Sequence, residues 1–281
     1  MRTSEEKGIT DSQEVEAHRE SSEPRSIQTV VYDKAGGITE AIQSIANEKP
    51  ITLYLNGREL VTLLCVGHHL DELAVGFLHG EGFLQQLSDL RGIEVDQEEG
   101  RVQVTTAREE ALTNQLWEKR TITSGCGKGS LFYYALNALM AKPVVSSLSL
   151  SPQEVLERVA DLSRSSVSLR RTHGVHTAGL ATPNSMIVVR EDIGRHNAVD
   201  MIVGHCFLRE IPLHDKLLVT TGRLTSEIII KSAKLGLSTI VSLHAATSLS
   251  IELARSLEIT LIGYARRGKF TVYSGRQRIV S

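Results

Sequence analysis

Three short apolar segments, separated by two segments with a helical pattern, constrain the fold of this 281-residue chain more than any other feature. The apolar segments are 216–221, 238–242 and 260–264, and the helical segments are 226–235 and 248–257. Buried strands that alternate with helices pair in parallel, because each helix carries the chain back to the start of the next strand. The sequence therefore predicts a layered α/β domain.

The remaining segments divide the chain into three parts. Residues 1–26 are polar and charged and predict a disordered tail, since they cannot bury enough apolar surface to offset the entropy of ordering. Residues 27–120 predict a smaller α+β subdomain, and 121–281 the larger α/β domain. The further strands are predicted at 29–32, 50–57, 60–65, 93–96, 101–106, 177–181, 185–190 and 269–273, and the further helices at 71–84, 151–164 and 197–207.

Composition narrows the class of protein. The 31 Lys and Arg nearly balance the 33 Asp and Glu, so neither nucleic acid nor an anionic membrane is an expected partner. No apolar stretch approaches 18 residues, and the first 26 residues lack the apolar centre of a secretory signal. The three cysteines, Cys65, Cys126 and Cys206, are too widely spaced for a disulfide framework. We expect a cytoplasmic, reduced protein.

A glycine-rich loop at 123–130 surrounds Cys126. Glycine leaves the backbone uncovered, a helical pattern follows from Leu131, and Lys128 adds positive charge nearby. A helix N-terminus and a neighbouring cation both favour the thiolate, so this pattern favours a reactive thiol. The alternative is a structural cysteine in a linker. Cys65, in contrast, lies in an apolar run that indicates a core position.

Polar residues follow or precede three predicted strands, at 172–176, 190–197 and 220–223. In open α/β sheets ligands bind outside the carboxyl ends of strands, and glycine with arginine at a helix N-terminus suits an anionic group such as phosphate. The expected residues here include Arg195 and Arg223. A structural ion pair of Arg195 with Asp192 or Asp200 is an equally good interpretation.

The C-terminal segment is basic, with no acidic residue from Arg266 to Arg278. A solvated tail is one interpretation, but its position directly after a strand, with Gly268 allowing close approach, favours a phosphate or nucleotide site. A zinc site of the deaminase type, with His173, His176 and Cys126 as ligands, is not expected, because the chain lacks the P-C-x-x-C motif.

Several stretches together resemble the FdhD/NarQ family, the formate dehydrogenase accessory sulfurtransferases. The resemblance extends from about residue 28 to 275 and is most specific at 190–200, which reads REDIGRHNAVD. Further similar stretches are 56–63, 71–78, 81–83, 174–176, 221–223 with Glu227, 246–254 and 261–270.

The resemblance implies a three-layer α/β/α cytidine-deaminase-like domain without the deaminase zinc. It implies a sulfur carrier that takes a persulfide from a cysteine desulfurase onto Cys126. The family's loop usually reads C-G-x-C; Cys126 corresponds to its first cysteine, and Gly129 replaces the second.

The sulfur would pass to the molybdenum cofactor of formate dehydrogenase, Mo-bis-molybdopterin guanine dinucleotide, bound as cargo and mimicked by GDP. The resemblance also implies a homodimer. The family's cofactor site corresponds to Tyr264, Ala265, Arg266, Arg267, Gly268 and Lys269, and we expect Arg195, Arg223 and His176 to join it. The alternatives are a cofactor-binding chaperone without sulfur transfer and a metal-dependent hydrolase.

Overall fold

The computed structural model describes residues 24–107 and 142–280. Within these ranges the strands are β1 (Arg25–Tyr32), β2 (Ile38–Ile45), β3 (Lys49–Leu55), β4 (Arg58–Cys65), β5 (Leu90–Asp96), β6 (Arg101–Thr106), β7 (His176–Ala181), β8 (Met186–Asp192), β9 (Leu217–Thr220), β10 (Thr239–Ser242), β11 (Thr260–Arg266) and β12 (Lys269–Ser274). The helices are α1 (Leu70–Glu81), α2 (Pro152–Ser165), α3 (Val167–Thr172), α4 (Arg195–Leu208), α5 (Ser226–Leu235) and α6 (Ser248–Ser256).

The larger part of the protein is built on a six-stranded sheet with the order β12-β11-β10-β9-β7-β8. Strands β9, β10 and β11 pair in parallel, which confirms the pairing predicted from the alternating segments. Strand β7 runs antiparallel to both of its neighbours, and β12 runs antiparallel to β11.

Helices cover both faces of this sheet. Leu218, Ile240 and Leu261 point to one face and pack with α4, α5 and α6. Their chain neighbours Leu217, Val241 and Ile262 point to the other face and pack with α2. The alternation follows from the two-residue period of a strand, and full burial on both sides explains why these strands are almost entirely apolar. The predicted α/β class is confirmed.

The N-terminal part carries a four-stranded sheet, β4-β3-β6-β5, with α1 packed on it. The β3–β4 hairpin turns at Asn56 and Gly57, with φ of 51° and 77°, as the Asn-Gly pair predicts. The core of this part includes Met201 of α4. The two parts of the protein therefore share a packed core.

Helices α1 and α4 cross in very close contact at two glycines. A Cβ atom at Gly76 would lie 1.8 Å from the carbonyl oxygen of Asp200, and one at Gly204 would lie 1.9 Å from the carbonyl oxygen of Glu72. Any side chain at either position would separate the helices.

A buried carboxylate reinforces this crossing. Glu72 of α1 accepts hydrogen bonds from Arg190 of β8 at 2.6 Å and Arg209 at 3.0 Å, and it contacts His205 of α4 at 2.8 Å. Burial by itself raises the pKa of Glu72, but the bonds from Arg190 and His205 outweigh it and lower the pKa below its ordinary value. One charge thus joins α1 to two elements of the larger part.

Three features differ from the sequence-based expectations. Strand β1 begins at Arg25, so the last two residues of the predicted 1–26 tail are strand. Strand β2 and helix α3 were not expected. In β2 the isoleucines are separated by Glu40 and Ala41, so the apolar and polar residues do not alternate clearly. Helix α3 spans only six residues, too few to show a helical period.

Candidate functional site

One edge of the six-stranded sheet gathers nearly all the polar residues predicted to act. The carboxyl ends of β8, β9, β10 and β11 lie at this edge, and the antiparallel strands β7 and β12 begin there. Helices α4, α5 and α6 also begin at this edge, so the positive ends of three helix dipoles face the same side. We call this the strand-end edge.

The loop after β9 is held by hydroxyl groups. Thr220 Oγ1 donates to the carbonyl of Thr177 at 3.1 Å and accepts from the Gly222 amide at 3.1 Å. Ser242 Oγ donates to the carbonyl of Gly222 at 2.5 Å. A Cβ atom on Gly222 would lie 2.9 Å from the Cβ of Arg195, so a glycine at this position lets the two loops approach.

Buried Asp192, at the end of β8, shapes the turn into α4. Its carboxylate accepts bonds from the Gly194 amide at 2.8 Å, the Asn197 side chain at 2.8 Å and the Val66 amide at 2.9 Å. Burial raises the pKa of Asp192 to about 6, against the opposing effect of these bonds. Asp200 accepts a hydrogen bond from the buried amine of Lys231. The structure therefore shows partners for Asp192 and Asp200 other than Arg195, the partner considered from sequence.

Two arginines and two further histidines lie near His176, the first residue of β7. Its pKa is lowered first by burial and then by the charges of Arg195, His244, His196 and Arg223. Residues that follow three different strands, β8, β9 and β10, therefore lie close enough to disfavour a proton on this imidazole. The guanidinium groups of Arg195 and Arg223 would attract an anion that enters this edge.

His196, in the first turn of α4, is oriented by the start of α5. Its Nε2 atom lies 3.0 Å from Glu227 Oε2 and 3.3 Å from Thr225 Oγ1. The sequence pattern contained His196 and Glu227, but only the fold shows that they meet. His244 was not predicted, although it follows β10 at the same edge as the other residues.

The C-terminal basic residues form a hairpin at the far side of the same edge. Arg267 and Gly268 have φ of 53° and 74°, the two positive values that a tight turn between β11 and β12 requires. An open cavity of about 460 Å³ lies here, lined by Tyr264, Arg266, Arg267, Lys269 and Thr271. The Ala265 side chain points the other way and is buried in the core.

Tyr264 connects this cavity with the cluster around His176. Its backbone amide donates to the carbonyl of His244 at 3.1 Å, and its own φ is 51°. The Arg266 guanidinium stacks 5.7 Å from the centre of the Tyr264 ring, which is half exposed. A flat, half-exposed aromatic ring beside cationic groups suits a nucleotide, with the ring stacking on a base and the cations facing phosphate.

The predicted reactive residue, Cys126, lies outside the described residues. The other two cysteines are buried, and burial raises the pKa of each thiol to about 12. The core position predicted for Cys65 is confirmed. Within residues 24–107 and 142–280 no group of three or more metal-ligating side chains is placed to hold an ion, and no helix is long and apolar enough to cross a membrane.

The fold and this edge define the class: an α/β protein whose strand ends present arginines, histidines and an open cavity of about 460 Å³. A model of the FdhD/NarQ family matches residues 46–280. The chain belongs to that family.

Curated relatives and a solved structure agree with this membership. The chain is 39% identical to the sulfur carrier protein FdhD of Bacillus subtilis, over 90% of its own length and 97% of the relative. It is also 39% identical to the FdhD of Geobacillus kaustophilus, over 87% of the chain and 93% of that relative. The crystal structure of a "putative formate dehydrogenase accessory protein" from Desulfotalea psychrophila matches with a TM-score of 0.75 at 27% identity, covering 92% of this chain and all of the other.

Proposed function

We propose that this protein is a sulfur carrier, a sulfurtransferase accessory to formate dehydrogenase. Its relatives at 39% identity are named sulfur carrier proteins, and they align over nearly their full length. The observation that carries the proposal to this chain is the cationic strand-end edge around His176, which suits an anionic dinucleotide. The six-stranded sheet with helices on both faces supports the cytidine-deaminase-like assignment as well.

Cys126 is the proposed carrier of the sulfur. Cys65 and Cys206 are buried, and a thiol with a pKa near 12 is almost entirely protonated at neutral pH and a poor nucleophile. Cys126 is the remaining cysteine of the chain, and its neighbours Lys128 and the flanking glycines favour an accessible thiolate. Sulfur transfer therefore falls to this residue.

The loading step is a thiol–persulfide exchange with a cysteine desulfurase. The Cys126 thiolate attacks the outer sulfur of the donor's cysteine persulfide, the donor's S–S bond breaks, and the donor cysteine leaves as a thiolate. A new S–S bond forms on Cys126, so the number of S–S bonds is unchanged and no external oxidant is needed. The sulfur is then delivered to the molybdenum cofactor of the client, formate dehydrogenase.

The strand-end edge is the proposed binding site of that cargo, Mo-bis-molybdopterin guanine dinucleotide. Arg195 and Arg223 near His176, together with Arg266, Arg267 and Lys269 on the hairpin, supply cations for its phosphates. Tyr264 offers a stacking surface for a base. We further propose that the protein works in the cytoplasm as a homodimer.

A persulfide assay tests the function. After incubation of the full-length protein with a cysteine desulfurase and cysteine, mass spectrometry should show about 32 Da, one sulfur atom, added to the peptide that contains Cys126. A Cys126→Ala variant should lose both the added mass and the ability to activate formate dehydrogenase in cells. Cys65→Ala and Cys206→Ala are the matched controls and should keep the added mass wherever they fold.

The second candidate is a chaperone that binds the cofactor without sulfur transfer, favoured by the observation that the residues assigned to the cofactor site lie in the described part of the chain, apart from Cys126. In that case Cys126→Ala would still activate formate dehydrogenase. Persulfide confined to Cys65 or Cys206 would refute the proposed carrier.

A further inference from the structure

A cleft between the two parts of the protein takes no part in the proposed function. It has a volume of about 330 Å³ and is lined by the base of the β1–β2 hairpin and the turn before α1 on one side, and by α3, the start of β7 and the end of β8 on the other. Two of its wall residues, Val175 and Glu191, are the chain neighbours of His176 and Asp192. The cleft therefore lies beside the strand-end edge.

The inside of the cleft is apolar. Val66 and Val175 are buried, with 7% and 5% of their surface exposed, and Val189 is half-buried. Val167 of α3 also lines the cleft and is 51% exposed. A small aliphatic side chain suits such a surface, because it leaves water on entering the cleft.

The charged residues of the cleft leave one arginine unpaired. The Arg190 guanidinium bonds Glu72 at 2.6 Å and 3.0 Å, and the Glu191 carboxylate accepts from two backbone amides at the start of α3, each at 2.9 Å. His69 is uncharged at neutral pH, because burial lowers its pKa to about 4. Arg171 is exposed and forms no hydrogen bond or ion pair with any residue of 24–107 or 142–280.

The described chain begins at this cleft, and an acidic segment precedes it. Pro24, the first described residue, lines the cleft. Residues 1–23 carry seven acidic side chains against three Lys or Arg. Val15 is the one large apolar residue among them with a carboxylate on each side, from Glu14 and Glu16. An apolar side chain between two carboxylates complements an apolar cleft that carries an unpaired arginine.

We infer that residues 14–16, which we call the tail segment, dock in this cleft, with Val15 inside it and a neighbouring carboxylate on Arg171. Val15 precedes Pro24 by nine positions, and a chain of that length spans about 30 Å when it is extended, so the tail segment reaches every part of the cleft. A short tether also holds a segment at a roughly millimolar effective concentration. Contacts too weak to bind a separate peptide therefore suffice here.

Docking makes the tail segment autoinhibitory. Its carboxylates lie beside the strand-end edge and repel an anion that approaches Arg195 and Arg223. The docked segment and an anionic ligand therefore oppose each other through charge. This consequence rests on the proposed cofactor site, whereas the docking itself does not.

Proximity in the full-length protein tests the docking directly. In an Arg171→Lys variant a carbodiimide should couple the new amine to Glu14 or Glu16 with loss of water, and mass spectrometry should identify the joined peptides. Arg91→Lys, at an exposed arginine of β5, is the matched control and should give no such product. Absence of the product at position 171 in the folded variant would overturn the inference. Products that only join labelled to unlabelled copies in a mixture would also overturn it, since the occupant would then come from a second copy.

The rate of arginine modification measures the docking without a change in the cleft. Phenylglyoxal should modify Arg171 about threefold faster in Glu14→Gln/Glu16→Gln than in wild type, because a segment that covers this arginine two thirds of the time leaves it free for one third. Salt at about 1 M, where the Debye length is about 3 Å, should raise the wild-type rate in the same way. Glu5→Gln/Glu6→Gln removes equal charge elsewhere in the tail and should behave as wild type. Equal rates in all three proteins would overturn the inference, because the cleft would then be open or covered by another partner.

GDP affinity separates the autoinhibitory role from the proposed function. At low salt Glu14→Gln/Glu16→Gln should bind GDP about two- to threefold more tightly than wild type and than Glu5→Gln/Glu6→Gln, because it lacks the carboxylates beside the strand-end edge. An equal gain in both variants would assign the effect to the total charge of the tail and overturn the autoinhibitory role. If none of the three proteins binds GDP, the cofactor site is refuted, while the coupling at position 171 and the modification rate still decide the docking.

Discussion

At the scale of single residues, Asp192 does most to shape the candidate site. Its buried carboxylate joins the turn before α4 to Val66, which follows β4 in the N-terminal part. Asn197 strengthens the same junction, because its amide donates to both Asp192 and the Leu64 carbonyl at 2.8 Å. Arg195 is the first residue after this turn, so its position depends on Asp192.

The raised pKa of Asp192 predicts a specific pH dependence of stability. Its pKa is about 6 in the folded protein, against about 3.9 when unfolded, so the folded state holds this proton more tightly. The stabilising effect of protonation is complete below pH 4 and is lost as the pH rises through 6. Wild type should thus lose on the order of 2–3 kcal/mol from this group between those limits.

Asp192→Asn does not titrate and should lack this loss, which urea unfolding of both proteins at pH 4.5 and 7.5 would measure. The variant should also be about 1–3 kcal/mol less stable at low pH, because the Nδ2 group that replaces Asp192 Oδ2 is a donor and would face the Val66 N–H, another donor. A stability difference between the two proteins that is constant across this pH range would contradict the prediction.

The sequence identified Asp192 by its polar neighbours, but not its role. Its bond to Val66 spans 126 residues of the chain, and no local pattern reports a contact of that range. The interpretation weighed equally with a ligand contact, an ion pair of Asp192 with Arg195, joins two residues that are close in sequence. Local reasoning finds the polar residue and misses its distant partner.

At the scale of elements, the crossing of α1 and α4 depends on glycine. Gly204→Ala would normally favour a helix by about 1 kcal/mol, since alanine is the better helix former. Here the added carbon would overlap the Glu72 carbonyl, so we expect a loss of at least about 3 kcal/mol, measured by chemical denaturation. Gly92→Ala is the control, because a Cβ there meets nothing within 4 Å. Equal effects of the two substitutions would refute this account of the crossing.

The predictability of the elements follows their burial. Strands β9, β10 and β11 were found because both of their faces are buried and their residues are nearly all apolar. Strand β2 was not predicted because it is exposed and mixes polar with apolar residues. The residues on either side of it in the sequence show no apolar pattern that would indicate a buried strand. The sequence shows that Gly204 lies inside an apolar helix, but it does not show that the backbone of Glu72 approaches this glycine.

At the scale of the whole molecule, cofactor binding and sulfur loading should be separable. Each charge-assisted bond to phosphate contributes about 1.5–3 kcal/mol, so the double variant Arg267→Ala/Lys269→Ala should weaken GDP binding by roughly tenfold or more. Calorimetry at fixed salt measures the affinity, and Arg101→Ala, an exposed arginine on β6, is the control.

Persulfide loading of Cys126 should be unchanged in the same double variant. If the folded double variant binds GDP as wild type does, the hairpin between β11 and β12 is not part of the site. We expect cofactor binding and sulfur loading to be separable because the basic residues follow strands of the six-stranded sheet, whereas Cys126 lies in the sequence between β6 and α2.

The gathering of polar residues at one edge was predictable from sequence, because the carboxyl ends of parallel strands share an edge whatever lies between them. His244 and the meeting of His196 with Glu227 were not, since they depend on the order in which the strands are placed. The packing of the N-terminal part against α4 was equally hidden. It combines close backbone contact at Gly76 and Gly204 with burial of Met201 in the core of the N-terminal part.

The bonds of Glu72 to β8 and α4 bear on how the protein denatures. A carboxylate left in the core without its arginines would be a large penalty, so neither part can melt while the other keeps its native contacts. Heating should then give a single cooperative transition, with no intermediate in which one sheet survives alone. For the same reason, the two sheets expressed as separate polypeptides would each expose a helix face and one half of an ion cluster.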